Sequence, residues 1–451
     1  MHRSMLVVGA LLAIAVGACG GTDRSAGTPV RISLLEWQQK RAQAVERLLP
    51  AFEAAMAGRG TPVTVTLDTP TLTDAQYKTR ITARYASGDP PDVTSYPTGW
   101  VPDFAAAGDL VDLTTRVATW PDWAAHYYEV LRAEAIGADG RIYGVPRGAT
   151  VIQLFYRRDV LDECGVSMAQ PRTWADLVDR MAVLRDRMDR PPILIPAGTA
   201  WGDGTFDEGF INLFLGTGDR LYDEGTHRWI VRSDGLTAVF RLYETLVDER
   251  LLPVAPLLQP EPWQSTKYKT FPDGDLAVTT QGTWGWTFDW GPTGRAPIAD
   301  LEQVVATWRF PAETAGGDPF VWAAAPWDWT ISSASRHPDA AWALIQWLST
   351  GEAAAADLAA VGNLAPRDDL SSLAPYRDAR ELILEEPLIR IGRSFQPRPG
   401  IDAIRSAVGQ ATQAILTGAA TADEAADQFA RLATRSLGSE NVVSTPAATA
   451  P

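Results

Sequence analysis

The sequence predicts an α/β fold, and three observations support this prediction. The chain has 451 residues, of which 46% are hydrophobic and 21% are charged, and this is the composition of a globular protein. Two apolar-rich segments near its start, 31–35 and 62–67, are typical of strands, and helical spacing of apolar residues separates them. The strand–helix–strand order then persists along the chain, which indicates a parallel strand pair with crossover helices.

The first helix is predicted between these two strands, over residues 45–56, where Pro50 predicts a kink or a restart. A second helix is predicted over 76–85. It ends before 87–91, because one glycine and two prolines interrupt the chain there.

The remaining elements continue this alternation of strands and helices. Further strands are predicted at 141–145, 151–156, 192–196 and 276–280. Further helices are predicted after the N-cap Thr173, over 236–252, along the face of Trp342, Ile345 and Leu348, and after the capping box at Thr421. Residues 439–451 are rich in Ser, Thr, Ala and Pro and are predicted to be a disordered tail.

Charge and aromatic content narrow the class of ligand. The formal net charge is −15 and the pI is about 4.8, so a nucleic-acid partner is not expected. The chain has 17 Trp, 13 Phe and 11 Tyr, although tryptophan is normally the scarcest of the three. This excess of tryptophan favours a ligand with a flat apolar face.

The N-terminus predicts export and a lipid anchor. Residues 6–16 form an apolar run that is too short to cross a bilayer and fits a signal peptide over 1–18. The small residues before Cys19 resemble the lipobox of bacterial lipoproteins; the alternative is a plain signal peptide followed by an accidental cysteine. A diacylated Cys19 and a flexible tether, together 19–29, would hold the protein outside the cytoplasm on the cell membrane.

Cysteine and histidine content predict a protein without a metal or a cofactor. Cys164 has no cysteine partner in the mature chain, so no intramolecular disulfide is expected. The histidines of the mature chain are His126, His227 and His337, and they share no close spacing. A metal site and a histidine-based catalytic centre are therefore not expected.

Seven segments, in order behind the lipobox, resemble those of one known family. They are 87–93, 108–114, 139–146, 155–161, 171–174, 271–286 and 331–348. On these segments the chain resembles family 1 extracellular solute-binding proteins, the sugar-binding lipoproteins of ABC importers, with maltose- and trehalose-binding members.

The resemblance implies a two-lobed fold of the periplasmic-binding-protein type II kind, with the ligand in the cleft between the lobes. Lobe 1 is expected at 30–147 plus 322–366, and lobe 2 at 148–321 plus 367–438. The implied protein binds a carbohydrate of di- or oligosaccharide size and delivers it to the ABC permease subunits in the membrane. We expect a monomer that carries out no reaction on its ligand.

The residues expected on the ligand combine aromatic rings with polar groups, because a sugar has an apolar face and a rim of hydroxyls. Trp284 matches the family's ligand-stacking tryptophan. Asp328 stands between Trp327 and Trp329; a loop would bring all three into the cleft, whereas a strand would separate the carboxylate from the rings. The other candidates are Glu36, Trp37, Tyr96, Thr98, Trp100, Arg147, Thr150, Trp201, Asp203, and either Arg393 or Arg398.

One alternative keeps the fold and changes the ligand to a glycerophosphodiester or another polar solute. A phosphate needs cationic groups in the cleft, and Arg147, Arg393 and Arg398 would supply them.

An enzyme or an adhesion protein would each belong to a different class of protein. A glycoside hydrolase would need two carboxylates, which Asp203, Asp207 and Glu208 would offer, but no motif supports this function. A peptide-binding or adhesion lipoprotein would not need the segments at the predicted lobe crossings.

Overall fold

The structure of the protein is a computed structural model that describes residues 28–444. The predicted signal peptide, Cys19 and tether residues 20–27 lie outside the described residues, as does the end of the predicted tail, 445–451. Within the described part of the chain, no helix combines the length and the apolar character needed to cross a membrane.

Strands and helices alternate along the chain, which confirms the predicted α/β class. The strands are β1 (Val30–Leu35), β2 (Val63–Asp68), β3 (Val93–Pro97), β4 (Val145–Pro146), β5 (Thr150–Arg157), β6 (Ile193–Leu194), β7 (Tyr222–Asp223), β8 (Arg228–Arg232), β9 (Val278–Gly282), β10 (Val305–Trp308), β11 (Trp322–Ala324), β12 (Trp327–Ile331) and β13 (Val442–Ser444). The α-helices are α1 (Gln39–Gly58), α2 (Asp74–Ala86), α3 (Val101–Ala106), α4 (Thr114–Ala118), α5 (Pro121–His126), α6 (Glu129–Glu134), α7 (Arg158–Glu163), α8 (Trp174–Met188), α9 (Ile211–Phe214), α10 (Asp234–Asp248), α11 (Val254–Leu257), α12 (Leu301–Val304), α13 (Pro338–Leu348), α14 (Gly351–Val361), α15 (Arg380–Glu385), α16 (Ile401–Leu416) and α17 (Ala422–Leu437).

Of the two outcomes predicted for α1 at Pro50, a kink or a restart, the structure excludes the restart. Helix α1 is one helix of 20 residues with Pro50 inside it. Pro50 is exposed, whereas Val45, Leu49 and Phe52 are buried against the first sheet. Packing of this apolar face outweighs the hydrogen bond that the proline cannot make.

The two predicted helix caps are present. The Thr173 hydroxyl accepts a hydrogen bond of 3.1 Å from the Asp176 amide at the start of α8. At the start of α17, Thr421 and Glu424 form both hydrogen bonds of a capping box. These caps satisfy amide groups that have no partner within the helix.

The first sheet has the strand order β2-β1-β3-β12-β4. Strand β1 pairs in parallel with β2 and β3, while β12 runs antiparallel to β3 and β4. Neighbouring residues of a strand point to opposite faces, and accordingly Leu34 packs with α1 and α13 whereas Leu35 packs with Tyr77 and Ile81 of α2. Helices therefore cover both faces of this sheet.

The second sheet has the strand order β10-β5-β9-β6, and β11 pairs with the start of β5. Strand β5 is buried along its whole length. Its core includes Met181 of α8, Phe240 of α10, Ile404 of α16 and Phe429 of α17. We call the part around the first sheet lobe 1 and the part around the second sheet lobe 2.

A small third sheet corrects the predicted tail. Strand β13 pairs with β8, with Val442 opposite Trp229, and Ser439–Asn441 form a 3-10 turn before it. The prediction of disorder was therefore wrong for residues 439–444. Two consecutive valines favour a strand, and β8 offers them a free edge.

The chain passes between the lobes three times. The first passage lies between Pro146 of β4 and Thr150 of β5. The second lies between β11 and β12, because β11 pairs with β5; the predicted start of lobe 1 at residue 322 was therefore too early. The third passage is longer than predicted. Arg367 forms an isolated β-bridge with Tyr127 of lobe 1, and the Gln396 side chain still donates to the Ala133 carbonyl of lobe 1. The next helix, α16, begins at Ile401 and lies in lobe 2.

Candidate ligand-binding site

The cleft between the lobes holds two adjoining cavities. The smaller cleft cavity has a volume of about 270 Å³ and the larger cleft cavity about 820 Å³. Trp100 of lobe 1 lines both, just after the carboxyl end of β3, where α/β sheets commonly bind ligands. Lobe 2 contributes Asp203, Gly204, Glu208 and Trp284 to both cavities, so the two lobes face each other here.

Tryptophan rings form much of the cleft wall. A ring of this size offers a flat apolar surface at a small cost in conformational entropy. The indole nitrogen of Trp322, in the smaller cleft cavity, has no hydrogen-bond partner among the described residues. The tryptophans that line one or both cavities are Trp100, Trp201, Trp263, Trp284, Trp322 and Trp327.

The position of Trp284 depends on Gly282. Trp284 follows β9 in a 3-10 turn, and its ring folds back over the last residue of that strand. A Cβ atom on Gly282 would lie only 1.8 Å from this ring. The absence of a side chain at Gly282 therefore allows the ring of Trp284 to lie along the cleft.

Carboxylates outnumber cations on the cleft walls. The smaller cleft cavity is lined by four carboxylates and one guanidinium group, and the larger by five carboxylates and two ammonium groups. Each of these cations already pairs with a carboxylate, so none is left to neutralise an anionic ligand. The pairs are Arg405 with Asp207, Lys267 with Glu208, and Lys78 with Asp402.

Burial raises the pKa of several acids in the cleft. The pKa of Asp207 rises to about 6, because burial disfavours the charged form more than Arg405 stabilises it. Burial also raises the pKa of Glu134 well above its usual value, and it raises the pKa of Asp289.

The family model that describes the bacterial extracellular solute-binding protein matches residues 39–355, more than two thirds of the chain. The chain belongs to this family. The match begins with α1 and ends within α14, so it includes every strand of the three sheets except β1 and β13.

Many solved structures are similar to this solute-binding protein, and three of them serve as examples. The sugar-binding protein MalE from Xanthomonas citri aligns with a TM-score of 0.72 and 22% identity over 90% of this chain and 98% of that one. The cyclic α-maltosyl-1,6-maltose binding protein from Arthrobacter globiformis aligns at 0.73 and 17%, over 90% and 99%. An ABC transporter solute-binding protein from Thermotoga lettingae, bound with α-D-tagatose, aligns at 0.69 and 18%, over 91% and 100%. At these identities the similarity establishes the fold, and the predicted two-lobed fold is confirmed.

Seven of the predicted ligand residues of this solute-binding protein line the cleft cavities. Most of them stand next to the end of a strand, where the chain leaves the sheet, and their contact with a ligand stays a prediction. They are Thr98, Trp100, Thr150, Trp201, Asp203, Trp284 and Trp327.

Two predicted ligand residues, Glu36 and Arg147, pair with each other instead. The side chains of both are at most 1% exposed, and neither lines a cleft cavity. The Arg147 guanidinium also donates two hydrogen bonds of 2.9 Å to Asp357 on α14. This buried ion cluster holds the first passage between the lobes against lobe 1.

Three predicted aromatic residues lie in the core of lobe 1. Trp37 stacks on Tyr77 with the ring centroids 5.4 Å apart, and Tyr96 stacks on Phe104 at 4.8 Å. Trp329 is completely buried in the middle of β12. Because these rings are occupied by packing, they are not on the cleft walls.

Asp328 points away from Trp327, because neighbouring side chains of strand β12 lie on opposite faces of the sheet. It lines a third cavity of about 150 Å³, which we call the side pocket. The other walls of the side pocket are Thr98, Val101, Pro102, Ala105, Ala106, residues 134–139, Tyr143, Pro397 and Pro399.

Neither Arg393 nor Arg398 lines a cleft cavity. Arg393 donates to the Leu215 carbonyl at 2.6 Å, and Arg398 donates to the Glu224 carboxylate at 2.7 Å. With Arg147 also paired, the alternative of a phosphate ligand loses all three arginines on which it depended.

Several residues of the cleft wall were not predicted as ligand residues. Trp322 lies in the tryptophan-rich part of the sequence, and this local abundance of tryptophan could have marked it as a cleft residue. Glu208 was considered only as an acid of a hydrolase. Lys267 is buried in a π-helical turn, Thr266–Thr270. No periodic pattern in the sequence predicts a buried lysine there. The other unpredicted residues with polar or aromatic groups are Thr73, Lys78, Glu134, Asp207, Glu261, Trp263, Tyr268, Asp289, Phe395, Asp402 and Arg405.

One cluster outside the cleft has the residue types of a metal site. Ligand atoms of His126, Asp368 and Asp369 lie within 4.8 Å of one another. Arg390 pairs with Asp368, and Arg367 pairs with Asp369, so both carboxylates already have a cationic partner.

Proposed function

We propose that this protein binds a carbohydrate of di- or oligosaccharide size in the cleft and delivers it to the permease subunits of an ABC importer. The observation that carries the proposal is the combination of tryptophan rings and carboxylates on walls contributed by both lobes. Trp100 stands on lobe 1, Trp284 stands on lobe 2, and Asp203 and Glu208 lie beside them.

The cleft chemistry suits the two surfaces of a sugar. Indole rings bury the apolar C–H face of a pyranose, and carboxylates accept strong hydrogen bonds from its hydroxyls. A ligand in contact with both lobes binds the closed arrangement more tightly than the open one, so binding shifts the population towards closure. Closure is then the signal that the permease reads.

The relatives support a carbohydrate and leave its size open. Those from Xanthomonas citri and Arthrobacter globiformis are described as binding a sugar and a cyclic maltosyl-maltose, and the one from Thermotoga lettingae holds tagatose. The larger cleft cavity, at about 820 Å³, gives room for more than one sugar ring. We therefore propose a di- or oligosaccharide.

We propose that the ligand leaves the protein chemically unchanged. Two acids of the hydrolase alternative, Asp207 and Glu208, pair with Arg405 and Lys267, as structural carboxylates do. Incubation with each bound sugar, followed by chromatography, tests this point. Appearance of a cleavage product, lost in Glu208→Gln, would replace the binding function by hydrolysis.

Thermal unfolding against a panel of solutes tests the carbohydrate. The full chain, purified in a mild detergent, is heated with mono-, di- and oligosaccharides, polyols and glycerophosphodiesters. A ligand that binds only the folded state adds about 2.7 kcal/mol of stability at 100 times its Kd, so the midpoint rises. A shift for one sugar class supports the proposal, and a shift for a phosphodiester alone contradicts it.

We propose that Cys19 anchors the protein on the outer side of the cell membrane as a monomer. Two acyl chains hold a protein on a membrane stably, whereas one does not. Cells that express Cys19→Ser should release the protein from the membrane fraction, and mass spectrometry of the wild type should detect the acyl groups. Retention of the variant on the membrane would contradict the anchor.

A further inference from the structure

The side pocket contains two buried carboxylates without a cation. Glu134 is 5% exposed and Asp328 is 2% exposed. None of the described residues that line the side pocket is a lysine, an arginine or a histidine. Thr98, Glu134 and Pro397 also line the smaller cleft cavity, so the side pocket adjoins the cleft.

Polar atoms in the side pocket lack partners. One oxygen of Glu134 accepts a hydrogen bond of 2.7 Å from the Ala325 amide. Oδ1 of Asp328 and the hydroxyl of Thr98 are buried, and neither makes a hydrogen bond of good geometry among the described residues, although the Thr98 hydroxyl lies near enough to the Asp328 carboxylate to lower its pKa slightly. Buried polar groups are normally paired, so these two atoms indicate a group that the pocket is built to receive.

The backbone holds Asp328 in this position. Strand β12 is hydrogen-bonded on both sides there, with Asp328 opposite Tyr96 of β3 and Pro146 of β4. Gly144 leaves room for the carboxylate, since a Cβ atom on Gly144 would lie 2.7 Å from the Cβ of Asp328. The carboxylate is therefore preorganised, and little ordering is needed when a ligand arrives.

The acceptors of the side pocket indicate how many hydrogen-bond donors a bound group must have. Glu134, Asp328 and Thr98 offer three acceptor side chains around one cavity, and two of them carry negative charge when ionised. An ammonium group has three N–H donors and a positive charge, whereas a hydroxyl has one donor and no charge. The ammonium group satisfies the acceptors, and its positive charge favours the ionised form of both carboxylates when the ligand binds.

We propose that the side pocket is the subsite for an ammonium group of the ligand, so that the solute is an amino sugar. The proposal rests on the proposed carbohydrate function and specifies its substrate class. The amine enters between Glu134 and Asp328, and the sugar ring that carries it lies where the side pocket meets the smaller cleft cavity, beside Thr98 and Pro397. Val101, which is 9% exposed, forms part of the apolar wall of the pocket, and a low local polarity strengthens the charged hydrogen bonds.

Calorimetric titration of the full chain with matched sugars tests this proposal. The probes are glucosamine against glucose, and the β-1,4-linked glucosamine disaccharide against cellobiose, at pH 7. Glucosamine differs from glucose by one ammonium group at a hydroxyl position, and the glucosamine disaccharide differs from cellobiose by two, one on each ring. We expect the amino member of a pair to bind about tenfold tighter or more, as a hydrogen bond between charged groups allows.

Two variants and one control separate the pocket from the rest of the protein. Asp328→Asn and Glu134→Gln should each lower the ratio of amino-sugar affinity to neutral-sugar affinity towards one. Asp318→Asn removes an exposed carboxylate that lines none of the three cavities, and it should keep the preference. Folding of each variant is checked by its thermal unfolding transition, and Glu134→Gln serves if Asp328→Asn does not fold.

The outcomes distinguish this proposal from the carbohydrate function. Equal or tighter binding of the neutral sugar overturns the ammonium subsite and leaves carbohydrate binding in place. A preference that persists in both pocket variants also overturns the subsite. Absence of binding for all four probes, with no shift for any other saccharide, overturns both proposals.

Discussion

The guanidinium of Arg147 donates two hydrogen bonds of 2.9 Å to the two carboxylate oxygens of Asp357, a residue 210 positions further along the chain. Both side chains are at most 3% exposed. Arg147 lies where the chain leaves lobe 1 for lobe 2, and Asp357 lies on α14, which packs on α1. The ion pair therefore fixes the start of a passage on which the relative position of the lobes depends.

Replacement of Arg147 should destabilise the fold strongly. Arg147→Ala leaves the carboxylates of Glu36 and Asp357 buried without their shared cation, and loss of one partner from a buried pair costs about 3–5 kcal/mol. Urea unfolding measures this loss. The control is Arg232→Ala, which breaks an exposed pair with Asp427 and should cost about 1 kcal/mol or less. Equal losses in both variants would contradict a structural role for the Arg147 cluster.

Gly282→Ala should weaken ligand binding as much as Trp284→Ala does. The backbone φ of Gly282 is −91°, which alanine adopts freely, but the new Cβ would displace the Trp284 ring from the cleft. Loss of one stacked ring costs about 0.5–1.5 kcal/mol beyond the lost contact area, so Kd should rise about tenfold. Calorimetry with the sugar found by thermal unfolding measures this change.

The matched control for Gly282→Ala is Trp347→Ala. Trp347 is a partly buried tryptophan that packs on Phe52 and lines neither cleft cavity. It should lower stability without changing Kd. Unchanged affinity in Gly282→Ala would show that Trp284 does not contact the ligand.

Asp328 should make the protein less stable as the pH rises. Burial raises its pKa from a usual value of 3.8 to about 7, so the folded protein keeps a proton that the unfolded chain releases. This group's contribution to the free energy of unfolding is fully present below about pH 4 and declines until about pH 7. Asp328→Asn should therefore gain stability over the wild type at pH 8 and gain much less at pH 5.

Urea unfolding at the two pH values checks this prediction through the difference between variant and wild type. The exposed Asp318→Asn variant should show a difference that is nearly the same at both pH values. A pH-independent difference for Asp328→Asn would mean that Asp328 is ionised throughout this range.

Lys40 and Phe288 form a contact between the two lobes. The Lys40 ammonium on α1 lies 4.0 Å from the centre of the Phe288 ring, which belongs to lobe 2. An exposed cation–π contact contributes about 0.5–1 kcal/mol, so Phe288→Ala should favour the open arrangement and raise Kd about two- to fivefold. Phe288→Tyr keeps the ring and should keep the affinity. Calorimetry measures Kd, and small-angle scattering of the unliganded variants reports whether the lobes separate.

The fold class and several helix boundaries could be predicted because they depend on short stretches of chain. The spacing of Val45, Leu49 and Phe52 specifies the buried face of α1, and Thr421 with Glu424 specifies the start of α17. Such patterns act within one or two helical turns, so they are visible in the printed sequence. At Pro50 the local rule allows a kink or a restart, and packing of α1 against the sheet keeps the helix continuous.

The candidate site was partly predictable for a related reason. Trp100 and Trp284 stand next to strand ends, and the positions of strand ends follow from local patterns. Glu36, Arg147 and Arg398 have the same residue types as ligand contacts, but each pairs with another charged side chain of the protein. The sequence could not distinguish a ligand contact from an internal ion pair, because the same charged residue types serve in both.

By itself, the sequence determined the alternation of strands and helices, the capped helix starts and the abundance of tryptophan beside strand ends. Only the tertiary structure decided which of the 40 basic residues meets which of the 55 acidic residues. It also decided that Asp328 and Glu134 line one pocket, whose described lining residues include no lysine, arginine or histidine. The physical reason is range: hydrogen bonding and side-chain packing within a helix or strand link residues a few positions apart, whereas a buried charge is neutralised by whatever group the folded chain brings within reach.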